Sequence, residues 1–369
     1  MITFRRADGS DLDIGGYIQS QVSDAIRLFS SSGSVARLPQ KVDLRTYMTP
    51  IENQKHTSSC VANAVAGAYE YLMARTHGQS YDVSRLFIYY NGRSLLGIED
   101  RDDGTSIAAA IDSLRQYGAC SEETWPFRED EVNTEPDEEA YDEAAQFLIE
   151  DVARVPTELE AWKSCLAEGY PIIFGIRLYR SFDNLRRGVV PVPSDNEASR
   201  ESHGGHAMLC VGYSEPDQMF IVRNSWGSGW GEQGYCYIPY TYLLDTRFNG
   251  GDTWMIRQIE ELELDEELWD DDDTPMLEAV EHEFGLMSDG EFADLIDACG
   301  DVPIETRIAL LMVAAAAHDG DLDDDEADRI VGFLEHTLEV LGATNTDAVA
   351  VLDYAIELYN EDDGSLVRE

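Results

Sequence analysis

Residues 223–239 read RNSWGSGWGEQGYCYIP, with two tryptophans, four glycines and an asparagine in one short run. That is too much glycine for a helix and too many aromatic rings for a linker. The run must fold as tight turns with its rings packed inward. Either these turns fill an ordinary core, or they hold Asn224 rigidly beside something reactive.

The segments around it supply the frame. SCVANAVAGAYEYLMAR places Val61, Val65, Ala68 and Leu72 on one helical face, so a helix begins near Cys60. IAAAIDSLRQYG is a second helix, stopped by Gly118, and ELEAWKSCLAEG is a third. YPIIFGIRLY, HAMLCVGYS, MFIVRNS, GYCYIPY and TWMIRQIE are short β-branched and aromatic runs between turn residues, hence strands. A helical half therefore precedes a β-rich half, an α+β arrangement with room for a cleft between the two. Residues 1–38 are polar and end in the flexible SSSGSVARLP, with a short helix expected at VSDAIRLF.

With 369 residues, 43% of them hydrophobic, the chain is long enough for about two domains with real cores. Its 73 acidic against 26 basic residues give a net charge of −47, which excludes nucleic acid as a partner for want of a basic face. Lys41, Lys55 and Lys163 are the only lysines. Acid-rich, lysine-poor composition suits concentrated salt, where a Debye length of about 3 Å at 1 M screens carboxylate repulsion. It resembles proteins of salt-accumulating archaea; an ordinary acidic cytosolic protein is the alternative. The first 18 residues lack the apolar run of a signal peptide, and no stretch is apolar enough to span a membrane. The six cysteines are widely spaced and form no CxxC pair, so reduced, buried thiols and a cytoplasmic location are expected.

Beyond residue 260 the character changes again. IEELELDEELWDDDDTP is a solvated charge run, giving an acidic linker at 261–275 and a separate all-helical domain at 276–369. Positions 261–369 carry 34 acidic residues and three arginines. A calcium loop starting at Asp319 fails, since its sixth and twelfth positions are Asp324 and Ile330 rather than Gly and Glu. The helix–turn–helix there resembles TerB-like (tellurite-resistance type) domains, which implies a module for a protein partner. Asp319, Asp321 and Asp323 are weak candidates for a cation, set against a reading as solvated helix caps.

Three residues in the first part could carry chemistry. Cys60 opens a helix, where unpaired N–H groups and the dipole favour a thiolate. His206 follows two glycines and opens an apolar strand, with His203 as its competitor in the polar loop before it. Asn224 ends the next strand, and an antiparallel pair would bring it to His206.

These blocks, with VDLRTYMTPIENQKHTSSCVANA, GGHAMLCVGY and RNSWGSGWGEQGYCYIP in order, resemble the papain-like cysteine peptidases of the bacterial and archaeal type over residues 39–260. The resemblance implies a two-subdomain papain-like fold and hydrolysis of peptide bonds through a thioester, with no cofactor. It assigns Cys60 as nucleophile, His206 as its proton partner and Asn224 as the residue that orients the imidazole. Gln54 and the Cys60 N–H would form the oxyanion hole, and Trp226 would shield the His–Asn bond. Gly227 and Gly229 would allow the turns around it, and Gly205 and Ala207 would line the substrate site.

Some positions depart from the family. Val61 replaces the aromatic after the nucleophile, Thr57-Ser58 replaces Cys-Gly, and the Gly-Gly substrate strip is not evident near DDGTS. Residues 1–38 are short for an inhibitory pro-segment; they are a remnant, a cleft-covering arm or an ordered extension, with self-processing expected near 30–37. The substrate is a protein or peptide. A silent peptide-binding module and a transpeptidase are the alternatives.

Overall fold

A computed structural model describes residues 2–5, 11–21, 26–33, 35, 37–78, 80–149, 151–183, 185–199, 203–257, 265–277, 304–316, 324–340 and 347–361. The chain begins with β1 (Ile2–Arg5), β2 (Asp11–Ile14), β3 (Tyr17–Ile18) and β4 (Lys41–Asp43). The helical half follows: α1 (Cys60–His77), α2 (Arg85–Ser94), β5 (Thr105–Ser106), α3 (Ile107–Gln116) and α4 (Glu138–Ala144). Then come β6 (Asp151–Arg154), α5 (Leu159–Ala167), β7 (Ile172–Leu178), α6 (Asp195–Ala198) and β8 (Gly204–Ser214). The β half closes with β9 (Met219–Arg223), β10 (Tyr235–Pro239), α7 (Tyr240–Leu243), β11 (Thr253–Arg257) and β12 (Trp269–Asp270). Three further helices are α8 (Ile304–Ala316), α9 (Asp324–Val340) and α10 (Ala348–Glu361).

The sheet runs β10-β9-β8-β7-β11-β6, with β4 also on β8 and β12 on β4. Its central strand β8 does two jobs. From Gly204 to Cys210 it pairs with β7, and from Leu209 to Ser214 with β9, with a register shift between Cys210 and Gly212. Residues 204–208 therefore have one edge free of β9, and that edge faces the cleft.

Helix α1 packs against β8 with every residue from Cys60 to Leu72 buried. A helix buried on every face sits inside a protein, and here α1 is the spine between the halves. Its buried Glu70 accepts hydrogen bonds from the Thr49 hydroxyl (2.5 Å) and the Val83 amide (3.0 Å). On the sheet's other side, Trp162 of α5 packs between Phe174 and Phe220, ring centroids 5.5 and 5.0 Å away.

The three sequence-read helices and five strands all form. Helix α2 has no clear apolar stripe in sequence because Arg85, Asn91 and Arg93 are buried in it. The helix expected at 22–29 lies partly outside the described residues; within them, Leu28 bridges Arg154 instead. The 261–275 charge run contains β12, and Asp217 accepts from the amides of Met276 (2.8 Å) and Leu277 (3.1 Å). Helices α8–α10 form a second apolar cluster of their own, including Leu310, Val313, Leu334 and Val351.

Candidate active site

Cys60 is the first residue of α1, and its approach is tightly tied. Gln54 N–H donates to Ser225 O, Thr57 N–H to Gln54 O, and Ser58 N–H to Asp102 Oδ1. Asn63 Nδ2 donates to Ser59 O at 2.9 Å, closing the first turn. The Cys60 side chain is fully buried, with the backbone of Ala207 and Val61 beside it.

His206 lies on the free edge of β8, buried, and Asn224 stands just past the end of β9. His206 Nε2 and Asn224 Oδ1 are 2.8 Å apart. Asn224 Oδ1 also accepts the Ser225 N–H at 2.9 Å, which fixes the amide's orientation and makes the ring nitrogen the donor. The Trp226 ring packs on the imidazole at 4.9 Å between centroids, backed by Trp230 at 5.0 Å and Phe182 stacked on Trp230. The opening question is answered by this stack: the glycines and aromatics of 223–239 build the wall behind His206 and Asn224. Gly227, Gly231 and Gly234 take positive φ there; Gly229 does not. His203, the competing histidine, packs against Tyr179 instead.

Gln54 is buried between the two halves. Its Oε1 accepts the Ser225 hydroxyl at 2.7 Å and its Nε2 donates to Thr57 O at 2.9 Å, leaving one N–H of the amide for another acceptor. Sequence reading left Ser225 without a role; its hydroxyl is what orients Gln54.

Burial works against the thiolate expected at the helix start. It pushes the Cys60 thiol up to about 12, outweighing the backbone groups beside it, and pushes His206 down to about 4. Both displacements disfavour the charged thiolate–imidazolium pair. Residues 14–20 pack beside this site. Gly16 O accepts from Thr105 N–H at 3.0 Å, and β3 pairs in parallel with β5. Beyond it, the Ser20 hydroxyl accepts from Ala108 N–H at 3.0 Å. The contact is close enough that a Cβ on Gly16 would lie 2.2 Å from Ser58 O.

That pairing falls at the DDGTS stretch, where no Gly-Gly strip is evident in the sequence. Gly104 has φ +87°, and a Cβ there would lie 2.2 Å from Gly16 O, so Gly104-Thr105 is where an extended segment docks. The signal was a lone glycine before the Ser106 N-cap of α3, too short to stand out.

A family model, "Papain family cysteine protease", matches residues 38–242. The chain belongs to the papain family of cysteine proteases. An uncharacterized peptidase C1-like protein of Acanthamoeba polyphaga mimivirus is 36% identical over 219 residues, covering 56% of this chain and 69% of that protein. A cathepsin L-like protein of Caenorhabditis elegans is 30% identical over 58% of this chain, which spans 64% of its length, less than two thirds. Among solved structures, xylellain, a cysteine protease from Xylella fastidiosa, superposes with a TM-score of 0.62 at 33% identity, over 67% of this chain and 96% of that one. In this papain-family fold, buried Cys60 and the His206–Asn224 bond are consistent with a Cys-His-Asn catalytic triad. Asp319, Asp321 and Asp323 lie outside the described residues.

Proposed function

We propose that the chain is a cysteine endopeptidase held latent by residues 14–20, with residues 39–260 as its catalytic domain. The observation that carries this reading is the 2.8 Å bond from His206 to Asn224, on a strand whose next residue, Ala207, lies beside the Cys60 side chain. With Nε2 donating to Asn224, the lone pair of Nδ1 is left to take the thiol proton. Removing the arm admits water, which lowers the cost of charging both groups and lets the thiolate–imidazolium pair form.

The sulfur then bonds to the scissile carbonyl carbon, and its oxygen becomes an oxyanion held by the Cys60 N–H and Gln54 Nε2. The imidazolium gives its proton to the departing amine as the C–N bond breaks, leaving a thioester. His206 next takes a proton from water, whose oxygen attacks the thioester and releases the acid and the thiol. Trp226 keeps water from competing for the His206–Asn224 bond. Gly205, beside the arm, and Ala207 belong to the substrate side of the cleft.

The acidic helices α8–α10 belong to a TerB-like appendage that recruits a protein partner, a reading supported by their separate core and by the composition of 261–369. The net charge of −47 and three lysines support a salt-rich cytoplasm. So do the five cysteines among the described residues, all buried and free. No described helix is long and apolar enough to cross a membrane.

The neutral, covered thiol also fits the second reading, a silent peptide-binding module. Intact mass after an epoxysuccinyl-peptide electrophile in high salt separates the two, run on the full chain, on Cys60→Ala and on His206→Ala. A single adduct, lost in both variants, is expected. A folded chain that never forms it, even after removal of residues 1–38, is a binding module. Hydrolysis with a competing amine present then tests transpeptidation, and the N-terminus of active enzyme tests processing at 30–37.

A further inference from the structure

The loop that delivers Cys60 carries Thr57-Ser58 where papain-like peptidases have Cys-Gly, so in this chain polar contacts brace it. Thr57 Oγ1 donates to Gln54 O at 2.8 Å and lies 2.7 Å from Ser59 Oγ, which ties the loop to itself. Ser58 reaches outward. Its N–H donates to Asp102 Oδ1 at 3.0 Å, 44 residues further along the chain.

The same Oδ1 accepts the Tyr89 hydroxyl at 2.5 Å, and that hydroxyl in turn accepts the Gly104 N–H at 3.0 Å. Tyr89 is fully buried in α2, with the Arg93 guanidinium 4.0 Å from its ring centroid and Arg93 Nη1 bonded to Asn133 Oδ1 at 2.6 Å. The ring is a fixed post, and a hydroxyl donating to a carboxylate is a strong tie from it. One oxygen thus joins two pieces of backbone that both touch Gly16. The first is Ser58, whose carbonyl packs on Gly16 and which stands two residues before Cys60. The second is Gly104, followed by Thr105, whose N–H donates to Gly16 O at 3.0 Å.

These two pieces have separate tasks in the proposed reaction. The Cys60 N–H holds the oxyanion, so the Ser58 end acts in the transition state. The Thr105 N–H holds an extended peptide, so the Gly104 end acts on binding. Each task depends on where one N–H stands, and a misplacement of about 1 Å can cost about 10²-fold in rate.

We infer that Asp102 is a positioning residue for this reaction: its Oδ1 sets the Cys60 N–H by way of Ser58 and, through Tyr89, the Thr105 N–H by way of Gly104. The inference rests on the peptidase reading. The two ends of the tie should fail separately, one in kcat and the other in KM.

The test uses the full chain opened by Gly16→Glu, whose side chain cannot fit against Ser58, with kcat and KM measured on one peptide substrate. Asp102→Ala releases Ser58 and should lower kcat about ten- to a hundredfold. Asp102→Asn keeps an oxygen in the Oδ1 position for both donors and should recover kcat to within about fivefold of the opened parent. Tyr89→Phe leaves Asp102 on Ser58 but strips Gly104 of its acceptor, so KM should rise about tenfold while kcat falls less than about threefold. Asp102→Asn as slow as Asp102→Ala would overturn the inference. So would Asp102→Ala at the parent's kcat, or a Tyr89→Phe defect in kcat rather than KM. If Asp102→Ala does not fold, the split between kcat and KM in Tyr89→Phe decides alone. Turnover by the opened parent without these differences removes the positioning role and leaves the peptidase reading standing. An opened parent with no turnover brings down that reading and the inference with it.

Discussion

Ser225 donates its hydroxyl to Gln54 Oε1 at 2.7 Å across 171 residues of sequence. Because an amide carries its oxygen and nitrogen on opposite sides of one carbon, this bond decides which way Gln54 Nε2 points. The same residue gives its N–H to Asn224 Oδ1, so Ser225 orients Gln54 and the residue behind the histidine together.

From that follows a graded loss of turnover in the opened Gly16→Glu enzyme. Gln54→Ala removes a donor to the oxyanion and should lower kcat by about 10²–10³. Ser225→Ala keeps the donor but frees its orientation, and about a tenfold loss in kcat at similar KM is expected. Steady-state kinetics on one peptide substrate checks both; equal losses would deny Ser225 an orienting role.

Uncovering the cleft should move the pH at which Cys60 reacts. Burial raises the thiol to about 12 and lowers His206 to about 4, so the covered pair carries no charge at neutral pH. Opening reverses both displacements and creates a window in which thiolate and imidazolium coexist. Iodoacetamide rates against pH should rise only toward about 12 in the full chain but plateau below neutrality in Gly16→Glu. Superimposable profiles would show that residues 14–20 do not control the thiol.

His206 also makes the covered state acid-sensitive. Its folded value near 4 lies below the ordinary 6.5, so the stabilisation is complete above about 6.5 and is lost as pH falls toward 4. A displacement of this size corresponds to about 3 kcal/mol. Denaturant melts at pH 7 and pH 4 in constant high salt should show His206→Gln losing less stability than the parent by about that amount.

Trp226 is expected to carry stability as well as shielding. It is buried against His206, Trp230 and Phe182, and Trp226→Ala should cost about 3–5 kcal/mol by leaving a cavity. Trp226→Phe should recover much of this. Urea midpoints for the two variants give the comparison.

Salt should stabilise the chain broadly. A charge of −47 repels itself over a Debye length of about 10 Å at 0.1 M but only about 3 Å at 1 M. The calorimetric melting temperature should therefore climb between those concentrations. A flat profile would remove the salt-adapted reading.

What could be read without coordinates was what periodicity and local chemistry encode. Val61, Val65, Ala68 and Leu72 announced α1, and the alternation from helical to β-rich runs announced the two halves. Cys60, His206 and Asn224 stood at the starts and ends of elements, but only the resemblance of their three blocks, in order, to papain-like peptidases pointed to roles for them. Helix α2 was not legible, because its buried Arg93 donates to the backbone oxygens of Tyr89, Arg101 and Val132, and composition cannot tell a paired arginine from a solvated one.

The sequence by itself determined which groups are available: a thiol, an imidazole, two amides, glycines that leave space, and a surface of carboxylates. It could not determine their protonation. A helix start argues for a thiolate at Cys60, and only the tertiary structure shows the thiol fully buried, with Gly16 packed against the neighbouring Ser58. The deciding contacts join Gly16 to Thr105 and Tyr17 to Asp252, residues 89 and 235 apart in the chain. Desolvation depends on everything that lies around an atom, whereas local sequence reports only what precedes and follows it.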